Sequence, residues 1–201
     1  MRLLLLHQIL SLAYGAHAVR LIHLQAALNT SQRVYMYLRS KDKMYRADAK
    51  CIYIKKNMPN SGYEYVFERG YQVDKRWRKA NITATLAPPS RIDYPPTITT
   101  TWPHDPTRTI QYTIIYWDEE EKCFILLYTR DNHRNYKMKC EMYQWDEKVD
   151  ERRGPMFSHE PVNGETVYRG CEREYHDYCK DPEPIIVYDM VTCKKKNPPL
   201  L

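Results

Sequence analysis

Cysteine placement constrains this chain more than any other feature. Of six cysteines in 201 residues, five fall in the last third, at Cys123, Cys140, Cys171, Cys179 and Cys193. Only Cys51 lies earlier. If they pair, they tie two strand-like stretches, residues 123–129 and 136–144, to a short helical one, residues 171–179. Whether they pair depends on the compartment in which the chain folds.

The N-terminus speaks to that. Met1-Arg2 is followed by Leu3 to Leu6, an apolar stretch reaching Gly15, and the small residues Ala16-His17-Ala18. This is the pattern of a secretory signal peptide cut after Ala18. It divides the chain into a leader, residues 1–18, one domain, residues 19–193, and a flexible basic and proline-containing tail, residues 194–201. The apolar run is short of the ~20 residues a membrane span needs, and no later stretch is apolar enough. The expectation is a secreted, soluble, monomeric protein without a membrane partner. In an oxidising compartment an even set of cysteines reads as a disulfide framework, although many connectivities are possible and sequence alone does not choose. A zinc site from Cys171, His176 and Cys179 is the rival reading; the expectation is no metal and no cofactor.

Several function classes drop out on composition. The formal net charge of +6 is spread along the chain, and Lys194 to Lys196 is the only basic triplet. That is not the concentrated footprint of a nucleic-acid binder. With only six glycines there is no phosphate-cradling loop, and neither Gly-x-Ser-x-Gly nor His-Glu-x-x-His occurs. No enzyme is expected. The 18 tyrosines suit strands and the walls of a ligand cavity, since each offers a broad apolar face with a polar tip.

Alternating patterns place strands at 33–39, 51–56, 63–69, 76–84, 97–102, 107–117, 123–129 and 136–144. A helix at 21–28 precedes them. A long polar loop, residues 146–170, leads to the helix at 171–179, and a short strand at 185–188 follows. Two glycosylation sequons occur, at Asn29 and Asn81. No long helical pattern separates the strands, which argues against a parallel sheet. Eight antiparallel strands in one domain close into a barrel holding one small ligand, or form a sandwich without a cavity.

The cysteine stretch resembles the tick salivary lipocalins, the histamine-binding protein family. The family signature is Cys-Asp-aliphatic, a gap, Glu-Leu-Trp or Tyr, a longer gap, then Cys. Here it reads Cys123-Phe124-Ile125, fifteen residues, Glu141-Met142-Tyr143, twenty-seven residues, Cys171. A leader, a helix before the first strand, a cysteine opening the second strand and one near the C-terminus also fit. The resemblance implies an eight-stranded antiparallel barrel, mainly β, with a short N-terminal helix and a C-terminal helix packed outside. It further implies the pairs Cys51–Cys193, Cys123–Cys171 and Cys140–Cys179.

If Cys123 and Cys140 point outward to a helix, strand alternation points their neighbours inward. Phe124, Leu126 and Tyr128 would line the cavity from one strand, and Lys139, Glu141 and Tyr143 from the next. Outward Cys51 likewise turns Ile52 and Ile54 in. A glycan on Asn81 would turn Arg78, Ala80 and Ile82 in. The resemblance also puts Asp42 and Tyr45 where the family has an acidic residue and an aromatic one. Two acidic positions of the amine binders are lost, to Phe124 and near Ala80, which weakens the case for histamine. The expected ligand set is therefore Glu141, Tyr143, Phe124, Tyr128, Asp42 and Tyr45, with Arg78 or Lys139 available to an anion.

The function implied is sequestration of a small host mediator in tick saliva, to evade host defence. A biogenic amine such as histamine or serotonin, or a leukotriene or fatty acid, would be the ligand. The alternative is an inhibitor that binds a host protein through its outer loops, the 146–170 segment especially.

Overall fold

The structure is a computed structural model and describes residues 19–42, 44–57, 62–89, 91, 94–102, 105–132, 135–153, 161–162, 165–166, 168, 170–181 and 183–194. The expected leader and residues 195–201 of the expected tail lie outside these. So do parts of the turn after residue 57, the proline-rich loop before residue 97 and the segment from 154 to 169.

After helix α1 (Leu21–Leu28) come eight strands in sequence: β1 (Arg33–Arg39), β2 (Lys50–Lys56), β3 (Glu64–Val73), β4 (Arg76–Ala87), β5 (Thr97–Trp102), β6 (Asp105–Asp118), β7 (Cys123–Asn132) and β8 (Asn135–Trp145). Each pairs antiparallel with the next, and β1 also pairs with β8, closing the barrel. A barrel, not a sandwich, is what this sequence forms. The 146–170 segment begins with α2 (Asp146–Val149) and a 3-10 turn (Asp150–Arg153) and includes a small hairpin, β9 (Pro161–Val162) with β10 (Glu165–Thr166). It leads to α3 (Gly170–Cys179), β11 (Ile185–Ile186) and α4 (Met190–Cys193).

Burial along each strand shows which outer walls are covered. On β4 it alternates from Asn81 to Leu86, with Ile82, Ala84 and Leu86 in the interior and the odd positions exposed, so no described element covers this wall. On β7 four successive residues, Cys123 to Ile125 and Leu126, are buried, because α3 lies across β6, β7 and β8. Cys123–Cys171 and Cys140–Cys179 fix that helix, with Cα separations of 6.4 and 6.0 Å.

The second covered wall is at β1. Strands β1 and β2 pair only from Arg33↔Lys55 to Tyr35↔Tyr53. Beyond that they separate, and Val187 bridges the split: its N–H donates to Tyr37 O and its carbonyl accepts from Cys51 N–H, both at 2.9 Å. The final strand is thus two residues long rather than four, and pairs with Leu38 and Arg39. Cys51–Cys193 locks this segment, with Cα atoms 5.2 Å apart and 142 residues between them in sequence. A loop that long is worth roughly 4–5 kcal/mol in the chain-entropy model. All three pairs implied by the resemblance are present, and no described cysteine is free.

Helix α1 seals one end. Leu24, Ala27 and Leu28 join the interior cluster, and Trp145 Nε1 donates to Ala27 O at 2.9 Å. The other end, ringed by the last residues of β1, β3 and β5, opens into a cavity that Met44, Tyr45, Arg46 and Ala49 help to line. Lys194, placed by the sequence in the flexible tail, instead follows α4 and reaches Asp146 and Asp150 at 2.6 and 3.0 Å.

Candidate ligand-binding site

Buried apolar side chains fill the lower barrel among the described residues. Ile52, Ile114 and Phe124 are fully buried, and Phe124 stacks on Tyr143 with ring centroids 5.1 Å apart. Above this floor the interior turns polar, because three strands send charged groups inward. Glu141 on β8 is fully buried. Arg69 on β3 follows Tyr65 and Phe67 on the inward parity and is 6% exposed. Arg39 on β1 is 1% exposed and owes its direction to a bulge at Tyr37. Val34 and Met36 face in, Tyr37 and Leu38 both face out, and Arg39 therefore returns inward opposite Glu141.

The loop after β1 drops Tyr45 onto these groups. Its hydroxyl donates to Glu141 Oε1 at 2.7 Å, and Tyr143 donates to Glu141 Oε2 at 2.9 Å. The Arg39 and Arg69 guanidiniums both lie over the Tyr45 ring, each 4.9 Å from its centroid. Arg69 also lies over Trp102 at 5.2 Å. Neither guanidinium has a carboxylate oxygen within 4.0 Å among the described residues, and Arg39 Nε has no hydrogen-bond partner. Arg39 makes only long contacts, to Ser40 O at 3.5 Å and Arg46 O at 3.4 Å.

Burial raises the Glu141 carboxyl above its ordinary value of 4.5, although Arg69, the two phenol hydrogen bonds and Arg39 pull it back. Burial likewise raises the Tyr112 and Tyr143 hydroxyls, with the Glu141 charge acting the same way. Burial opposes the charge on Arg69; ionised Tyr45, Tyr143 and Tyr112 together with Glu141 raise the guanidinium above its ordinary value. Near neutral pH, however, the three phenols are uncharged and only the Glu141 charge attracts it.

At the open end, Met44, Tyr45, Arg46, Ala49, Arg69, Tyr71 and Trp102 line a cavity of ≈ 210 Å³. Arg46 is neutralised there by Asp48 at 3.0 Å and Asp74 at 3.2 Å. Arg69 is the one lining charge without such a partner.

The residues named from sequence divide accordingly. Tyr45 lines the cavity, and Glu141, Tyr143 and Tyr128 are buried in the barrel, with Tyr128 edge-on to Tyr112 at 5.2 Å. Phe124 belongs to the packed floor instead of the lining. Asp42 is half-buried in the loop, where Oδ1 accepts from Met44 N–H at 2.6 Å. Two expectations need correction. Arg78 has the inward parity but sits near the start of β4, above the packed interior, and is exposed. Lys139 is diverted to the rim, its ammonium donating to Lys41 O at 2.8 Å. The cations that do reach the interior, Arg39 and Arg69, were not singled out from the sequence.

Of the sequon residues, Asn29 is exposed just after α1, its Oδ1 accepting from Lys56 at 3.1 Å. Asn81 is exposed on the outer face of β4, accepting from Asn57 at 3.0 Å. Glu121, Cys123 and Cys171 come close enough to hold a metal ion, but both sulfurs are spent in a disulfide. The Glu121 carboxylate instead accepts from Cys171 N–H at 3.2 Å. Cys171 and Cys179 are likewise unavailable to zinc. No described helix is long and apolar enough to cross a membrane.

Compared with known families, residues 17–195 match the tick histamine binding protein family. No curated protein matches the chain significantly. Among solved structures, lobster apocrustacyanin A1 is similar at 10% identity, over 82% of this chain and 79% of that one, with a TM-score of 0.44. Apocrustacyanin C1 matches with the same values, and apocrustacyanin C2 at 9% identity with a TM-score of 0.44.

Proposed function

This chain belongs to the tick histamine-binding protein family, and from that premise we propose that it captures a small molecule at the open end of its barrel. It works by binding alone, without catalysis, as a secreted lipocalin acting on a mediator in host tissue. The observation that carries this reading is the ≈ 210 Å³ cavity that reaches Arg69, a buried charge without an ion-pair partner. A purely structural barrel has no reason to bury such a group, because an unpaired ion costs several kcal/mol to desolvate. A ligand that satisfies it gives the cost a use.

Capture would start at the loop from Ser40 to Ala49, since Tyr45 both lines the cavity and touches the buried charges. The disulfide-locked wall at β1 and β2 and the α1 plug would hold the rest of the barrel rigid, so little ordering entropy is lost on binding. Glycans on Asn29 and Asn81, both exposed, would not obstruct the mouth. Native mass spectrometry of the protein secreted from eukaryotic cells tests the reading. The expected result is a non-covalent small-molecule adduct, held by a chain that starts at Val19 and contains three disulfides. A ligand-free protein that also shows no thermal shift with amines, organic acids or lipids would overturn it.

A further inference from the structure

The class of ligand follows from how the buried charges are already spent, given the mouth as a binding site. We propose that the cavity takes a small aromatic organic anion, its carboxylate on the Arg69 guanidinium and its ring among Tyr45, Tyr71 and Trp102.

Three observations converge on this. The acidic groups available to an amine are engaged internally. Both Glu141 oxygens accept phenol hydrogen bonds, at 2.7 and 2.9 Å, and Asp42 Oδ1 accepts a backbone N–H at 2.6 Å. An amine would have to share these oxygens with the groups that already donate to them. The basic groups are the reverse case. Arg39 and Arg69 are buried against aromatic rings with no carboxylate in ion-pair range among the described residues, and Arg39 keeps an unpartnered buried Nε. Two guanidiniums face one fully buried carboxyl, so the interior carries an excess of positive charge. A carboxylate entering the cavity meets Arg69 directly and makes the bidentate contact that guanidinium geometry favours.

Size decides the rest. The cavity of ≈ 210 Å³ lies below the ~300 Å³ at which pockets for drug-sized ligands begin. Among the described residues, fully buried Ile52, Ile114 and Phe124 fill the barrel interior, which favours a compact ligand over a long acyl chain. A one- or two-ring acid fits the space and presents an aromatic face to the three aromatic walls, where stacked or edge-on contacts are favourable. The anionic lipids considered from sequence are therefore a poorer match than a compact acid.

The test uses three probes of one shape and different charge: indole-3-acetate, tryptamine and 3-methylindole, titrated calorimetrically into the full-length secreted protein. Indole-3-acetate is expected to bind at least tenfold tighter than either of the others. Arg69→Met should remove that preference, and Arg69→Lys, which keeps the charge and covers any failure of the Met variant to fold, should retain part of it. Tryptamine binding as tightly as the acid, or tighter, would overturn the anion assignment while leaving small-molecule capture intact. No binding by any probe would also overturn it. If native mass spectrometry then still showed an adduct, only the ligand class would fall.

Discussion

Replacing Arg69 with methionine should separate binding from stability, and in opposite directions. The guanidinium is 6% exposed and lies 4.9 Å over Tyr45 and 5.2 Å over Trp102. Those two contacts contribute about 1–4 kcal/mol together, taking ~0.5–2 kcal/mol for each. Against them stands the desolvation of a buried cation, several kcal/mol after relaxation, with no ion pair within reach. Methionine fills much of the same volume and makes favourable sulfur–aromatic contacts with the same two rings. The balance falls between neutrality and about 2 kcal/mol of added stability in the ligand-free protein. Urea unfolding reads this directly: with a slope of ~2 kcal/mol per molar, the midpoint should stay or rise by up to about 1 M. The same variant should lose the binding described above. A midpoint lower by about 0.5 M or more at unchanged slope would mean Arg69 is a satisfied structural cation, and the case for an awaited anion would fail.

Three other outcomes are expected. Glu141 has a carboxyl raised above 4.5 in the fold, so its contribution to stability is complete below 4.5 and is lost as pH rises through the raised value. Relative to Glu141→Gln, the wild type should lose up to about 1.4 kcal/mol per pH unit over that window in urea unfolding, and parallel curves would contradict this. Gly70 lies under the Tyr53 ring, where an added Cβ would meet Cε1 at 2.2 Å. Gly70→Ala should therefore destabilise by about 1–3 kcal/mol, and should be harmless in a Tyr53→Ala background; equal effects in both would refute the contact. Replacing Cys51 and Cys193 together with serine should lower stability by roughly 4 kcal/mol. A loss under about 1 kcal/mol would show that the β1–β2 split is held by Val187 and its neighbours alone.

Strand count and order were legible because they rest on period-two alternation, written locally in the chain; the disulfide pairs were legible only through the family resemblance, since spacing alone does not choose among connectivities. Ile52, Ile82, Leu126 and Glu141 are buried as alternation from the outward residues required. The site was less legible. Arg69 could have been found by carrying the Tyr65, Phe67 parity two residues further, a step its charge discouraged. Arg39 could not, since its direction depends on the Tyr37 bulge, which arises where β2 leaves β1 and Val187 enters. Arg78 and Lys139 had the inward parity but lie too near the open end, a matter of strand length rather than alternation. The covering of the mouth by Tyr45 is tertiary, and only the resemblance hinted at it.

The most direct test of the central claim, that the open end of the barrel is a small-molecule site, is an NMR titration of the isotopically labelled protein with a mixed set of small amines and aromatic acids. Perturbed resonances are expected to centre on Tyr45, Arg69, Tyr71 and Trp102, with those of α3 and the lower barrel unmoved. Spectra unchanged by every compound, or changes confined to residues 146–166, would contradict it.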